Sequence, residues 1–224
     1  MKKKKTFYSE LAYVCGLLFL ALGTAMMEKA DYGVSMVVAP AYLLYLRISS
    51  VYPFFTFGMA EYLFQLLLLV MMCVFLRRFK LSYLFSFCTA LAYGFLLDAS
   101  MSMVAAMPLQ QKVLLYTIGL LCSAIGVALM FRTYISPEVY ELFVKEISLA
   151  KQRDMSRVKT CYDIASCLLA ITMSFAFFGM GRFEGIKAGT LICALVNGTL
   201  IGLAGSVLDT LFVFTRFDKG EQNA

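Results

Sequence analysis

Apolar residues in this chain run in long, nearly continuous stretches rather than in the alternation of half-buried strands or the one-sided stripe of soluble helices. Six such stretches, at 8–28, 57–77, 82–104, 112–132, 160–180 and 187–214, each approach the roughly 20 residues a helix needs to cross about 30 Å of hydrocarbon. They predict six membrane-spanning helices. Two shorter segments fall between them. Residues 33–49, GVSMVVAPAYLLYLRIS, are apolar but interrupted by Pro40, which suits a re-entrant, interfacial or tilted helix better than a comfortable span. Residues 136–152 open on Ser136, Pro137 and Glu138, the signature of an N-cap, a first-turn proline and an acidic first turn. There Val139, Leu142, Phe143 and Ile147 recur at helical spacing opposite Glu138, Glu141, Lys145 and Glu146, which predicts an amphipathic surface helix.

Composition agrees with a lipid solvent. Apolar residues make up 61% of the 224 positions and mean hydropathy is +0.80, against roughly 45–50% apolar usage in soluble domains. The seven cysteines lie almost entirely inside apolar runs without a C-x-x-C spacing, and read as small buried apolar residues rather than disulfides or metal ligands. Histidine is absent, which removes Ser-His hydrolases, H-E-x-x-H peptidases and His-ligated haem; no enzyme activity, cofactor or metal is expected.

Lysine and arginine then set an orientation. With both short segments returning to the side on which they begin, one side collects Lys2 to Lys5, Arg77, Arg78, Lys80, Arg132, Lys145, Lys151, Arg153, Arg157, Lys159, Arg216 and Lys219. The other keeps Lys29, Arg47, Lys112, Arg182 and Lys187. This places both termini in the cytoplasm of a bacterial inner membrane, and reads the net charge of +6 as orientation rather than nucleic-acid binding. Lys2 to Lys5 followed by Leu11 to Met27 imitates a signal peptide, with Ala21-Leu22-Gly23 as a weak cleavage site; the spans that follow favour an uncleaved first helix.

The halves, about 8–104 and 112–214, align with a shift of about 100 residues. Gly16-Leu17-Leu18 and Gly23 match Gly119-Leu120-Leu121 and Gly126, Ala90-Leu91-x-x-Gly94 matches Ala194-Leu195-x-x-Gly198, and Gln65 falls opposite Asp163. Three spans per half is an odd number, so the second half enters the membrane inverted, an arrangement many secondary transporters share. The expected fold is an all-α helix bundle of two inverted three-helix repeats, each with a short re-entrant or interfacial helix.

Several stretches carry a family resemblance: Gly16 to Met27, Ala30-Asp31-Tyr32-Gly33-Val34-Ser35, Phe57-Gly58, Val158-Lys159-x-x-x-Asp163, and Gly185-Ile186-Lys187-Ala188-Gly189-Thr190 leading into Ala194-Leu195-x-x-Gly198. Through them the chain resembles the YczE/YyaS-like bacterial integral membrane proteins, related in pattern to the YitT-like proteins. Met36 stands where that family's turn carries Pro. The resemblance implies a membrane fold and transport of a small molecule, and supplies no substrate or catalytic residue.

Ionisable groups inside a bilayer are costly and generally face a bundle interior or water cavity. Glu61, Gln65, Asp163 and Asn197 therefore read either as the lining of a substrate cavity or as hydrogen-bonding glue between helices, with Lys159 four residues before Asp163 as an ion-pair partner. Asp31 and Ser35 join them as the start of a half-helix whose positive N-terminal end faces the cavity. Tyr162-Asp163 imitates half of an intramembrane aspartyl protease, but the partner Gly-x-Gly-Asp does not occur. The function these features suggest is a permease or exporter of a small molecule, with the lipid bilayer as its other partner. The competing expectation is a non-transporting protein that docks a partner on 136–159.

Overall fold

The computed structural model describes residues 5–106, 111–153, 155–179 and 187–217, with backbone alone for 155–157, 160 and 188. Lys2 to Lys4, Arg182, Gly185, Ile186, Lys219 and the Arg157 side chain from the sequence reading lie outside the described residues. The elements run β1 (Lys5–Tyr8), α1 (Ser9–Ala30), α2 (Ala39–Ser49), α3 (Phe57–Leu76), α4 (Ser82–Ala105), α5 (Lys112–Met130), α6 (Val139–Lys151), α7 (Met155–Phe178), α8 (Ala188–Leu211) and β2 (Phe212–Thr215). All but α2 and α6 among these helices are long and apolar enough to span a bilayer. The chain is a multi-pass, all-α membrane protein, and the six expected spans match the observed helices to within a few residues.

Glycines decide which helices touch. A Cβ built at Gly16 would stand 2.9 Å from the Gly126 carbonyl oxygen, and one at Gly23 2.6 Å from that of Gly119. Gly16 facing Gly126 while Gly23 faces Gly119 makes α1 and α5 an antiparallel pair in backbone contact, a close approach that only small residues permit. The α3–α4 hairpin closes in the same way at Gly58 and Gly94. There Asp98 on α4 caps α3, accepting the Gly58 amide at 2.8 Å and the Thr56 hydroxyl at 2.7 Å.

The short helices occupy the interior. Residues 33–41 are all buried, and the Met36 carbonyl accepts from Ser166 Oγ at 2.9 Å, halfway along α7. From there α2 runs outward, with Pro40 in its first turn, where a missing N–H costs nothing. The turn into α2 is built on the Ser35 carbonyl, which takes the Val38 and Ala39 amides. Similarly, α6 starts where the Val139 amide donates to Gln65 Oε1 at 3.1 Å, in the middle of the bundle. It runs out towards the α3–α4 turn.

The expectation of a surface helix over 136–152 is thereby corrected. Val139, Tyr140, Leu142, Val144 and Glu146 are buried, and the helix starts two residues later than its sequence signal, with Glu138 rather than Ser136 in the cap position and the Ser136 carbonyl taken by Thr89. Its charges are tolerated because Arg78, Lys80 and the Tyr83 hydroxyl converge on Glu146 at 2.8–3.0 Å. Parallel pairing of β1 with β2, Lys5 opposite Phe212 through Tyr8 opposite Thr215, brings both ends of the described chain to the same end of the bundle.

One hairpin stays open. Cβ atoms built at Gly198 and Gly202 on α8 would meet nothing within 4 Å, and a groove of about 910 Å³ separates α7 from α8.

Candidate functional site

Because α2 and α6 start inside and leave towards opposite ends, their N-terminal turns meet. Between them lies a cavity of about 40 Å³, bounded by Ser35 and Val38 before α2, Glu138 and Tyr140 at α6, Tyr93 on α4 and Asn197 on α8. Glu141 and Lys159 line both this cavity and the α7–α8 groove, so the two spaces adjoin at that pair. The groove adds Asp163 and Thr199 to a largely apolar wall.

The polar groups are held by a definite set of contacts. The Lys159 ammonium lies 2.9 Å from Glu141 Oε1 and 3.4 Å from Asp163 Oδ1, which makes the expected i, i+4 pair part of a three-residue bridge. Glu61, fully buried, accepts the Tyr140 hydroxyl at 2.8 Å. Gln65, fully buried one turn later, fixes the start of α6 through its oxygen. Glu138 is 4% exposed, and its Oε1 has no hydrogen-bond partner among the described residues; the same holds for Glu61 Oε1 and Glu141 Oε2.

Of the sequence-expected residues, Ser35 and Asn197 line the cavity and Asp163 lines the groove. Glu61 and Gln65 line neither; they stand behind Tyr140 and Val139 and position the start of α6. Asp31 is placed elsewhere: it is exposed and ion-paired with Lys187. Its residue, left-handed at φ 59°, ends α1 by returning its amide to the Glu28 carbonyl, so its carboxylate points out of the bundle end rather than in. Sequence reasoning missed Glu138 and Glu141 as interior groups, because the amphipathic pattern of α6 assigned them to water. The available signal was Pro137 together with the equivalence of 136–152 to the buried 33–49 segment.

Comparison with curated proteins and with solved structures returns no match. One family model does match, over residues 7–206, nearly the whole described chain. The protein belongs to that family, a family of unknown function designated DUF6198.

Proposed function

We propose that this protein is a bacterial inner-membrane permease or exporter of a small molecule, working by alternating access between two inverted halves. The observation that carries the reading is the meeting of α2 and α6, from opposite ends of the bundle, on one interior cavity lined by ionisable groups. Discontinuous helices of this kind bring polar backbone and charged side chains to mid-membrane, where a solute crossing from either side must pass. The antiparallel α1–α5 seam suits the inverted repeat, as does the reciprocal bracing in which α3 holds the start of α6 and α7 the start of α2. Kinship with the YczE/YyaS-like proteins belongs to the same proposal.

The orientation proposed puts the β1–β2 end in the cytoplasm. Lys5, Arg77, Arg78, Lys80, Arg132, Lys151 and Arg216 lie towards that end, against Lys29, Arg47, Lys112 and Lys187 at the other. The docking alternative keeps a smaller surface, since the apolar face of α6 and Glu146 are packed inside, while Lys145, Leu149, Ala150 and Lys151 of α6 and the following Arg153 are exposed.

The test is uptake and efflux in proteoliposomes over a panel of small solutes. Movement of at least one solute, lost in Glu138→Gln or Asp163→Asn proteins that still insert and melt normally, supports the proposal. Absence of flux for every solute, or flux indifferent to both substitutions, overturns it.

A further inference from the structure

The unpartnered buried polar atoms that line the cavity are all acceptor oxygens, on Glu138, Glu141 and Asn197. Glu138 Oε1, Glu141 Oε2 and, just behind, Glu61 Oε1 are buried acceptors without a donor among the described residues, and Glu138 is more than nine-tenths buried while it lines the cavity wall. Buried acceptors without donors cost free energy that a ligand bearing N–H groups would recover. Three lining carboxyls, Glu138, Glu141 and Asp163, face a single lining cation, Lys159, and that ammonium is already committed to Glu141 and Asp163. The positive N-terminal turn of α6 does not leave an anion site either, since Gln65 takes the Val139 amide and Glu138 itself holds the cap position. An anionic solute would meet uncompensated carboxyls; a cation would complete them.

Size and shape narrow the class. No three acidic or cysteine side chains among the described residues converge closely enough to ligate a metal ion. The cavity of about 40 Å³ accepts a few non-hydrogen atoms. The adjoining groove of about 910 Å³ is within the usual range for small-molecule sites, about 300–1,000 Å³, and is walled by Ile164, Leu168, Leu191 and Leu195.

We propose that the solute is a small organic cation, with an ammonium or guanidinium head seated on Glu138 and Glu141 and an apolar body lying between α7 and α8. This rests on the transport reading, and deepens it by naming the substrate class. Lys159 then acts as the resident cation at the junction, bridging Glu141 and Asp163 until the incoming head group displaces it from Glu141.

The experiment uses the full chain, in detergent for binding and in proteoliposomes for flux, with three probes that share a benzyl body and differ in the charge of the head: benzylguanidinium, neutral benzylurea and anionic phenylacetate. Benzylguanidinium is expected to bind by equilibrium dialysis, about tenfold or more tighter than either companion, and to weaken by a similar factor in Glu138→Gln. Glu141→Gln provides the same readout should Glu138→Gln fail to fold. Failure of benzylguanidinium to bind, equal or tighter binding of benzylurea or phenylacetate, or binding indifferent to both substitutions overturns the assignment. Binding of the cation without flux supports the substrate class and removes the transport reading. Flux of phenylacetate or benzylurea without the cation keeps transport and overturns the class.

Discussion

Gly94 and Gly198 occupy matching landmarks in the two halves, yet the structure gives them opposite surroundings, and leucine at each position measures the difference. At Gly94 the first added carbon already stands 3.0 Å from the Gly58 carbonyl oxygen and 3.2 Å from Tyr62 Cδ1. The remaining three carbons can be placed only by prising α3 from α4, which also pulls Asp98 from the Gly58 amide and the Thr56 hydroxyl. Overpacking costs about 1–3 kcal/mol, and hydrogen bonds to a charged group are worth about 1.5–3 kcal/mol each. A loss of about 3 kcal/mol is therefore expected for Gly94→Leu, or about 6–12 °C in melting temperature for a chain of this size. At Gly198 nothing lies within 4 Å. Replacing a helical glycine there gains up to about 0.8 kcal/mol in propensity, so Gly198→Leu should melt at or slightly above the wild-type temperature while narrowing the groove and slowing flux. The assay is thermal unfolding of purified protein in detergent, with flux measured on the same preparations. Equal destabilisation by both substitutions would refute the reasoning, because it would mean that α7 and α8 close on each other as α3 and α4 do.

Three further outcomes follow from particular contacts. Gly126→Val places a carbon 2.7 Å from both the Gly16 carbonyl oxygen and the Leu20 amide nitrogen, backbone atoms that cannot turn aside; unfolding in detergent should show a loss of about 1–3 kcal/mol. Burial alone pushes the Glu146 carboxyl up, but Lys80, Tyr83 and Arg78 more than offset it and hold the group below its ordinary 4.5. The stability it contributes is thus complete above about pH 4.5 and is lost as pH falls through its lowered folded value; Glu146→Gln should cost about 2 kcal/mol at neutral pH and flatten that acid limb of the melting curve. Asp31→Asn removes only an exposed pair with Lys187 and should change stability by less than about 1 kcal/mol, checked by the same melting assay.

Spans were legible because lipid imposes length and continuity, and nothing in tertiary packing alters a 20-residue apolar run. The re-entrant helices were half legible. For 33–49 the apolar composition already excluded water, whereas for 136–152 the charged face of a helix reads the same whether it meets solvent or a set of partner charges. Arg78 and Lys80 supply those partners from a turn 66–68 residues away, a pairing no local pattern encodes. Intramembrane polarity singled out Glu61, Gln65, Asp163 and Asn197 as a group, and they do gather around one region. Which of them touch the cavity depends on side-chain layering: Tyr140 and Val139 stand between Glu61, Gln65 and the open space. Asp31 was misplaced because its exposure is decided by the left-handed end of α1 and by Lys187 at the other end of the chain. The open α7–α8 hairpin was invisible, since Gly198 sits in the same sequence frame as the tightly packed Gly94. The β1–β2 pair was hidden too, its residues merging with the apolar runs of the first and last helices.

The most direct measurement is solute flux in one series of proteoliposomes carrying wild type, Glu138→Gln, Asp163→Asn and the Asp31→Asn control, each matched for insertion and melting temperature. If the cavity where α2 and α6 meet is the solute path, flux falls by about tenfold or more in the first two variants and is unchanged in the control. Equal flux in all four proteins, or no flux in any, would contradict it.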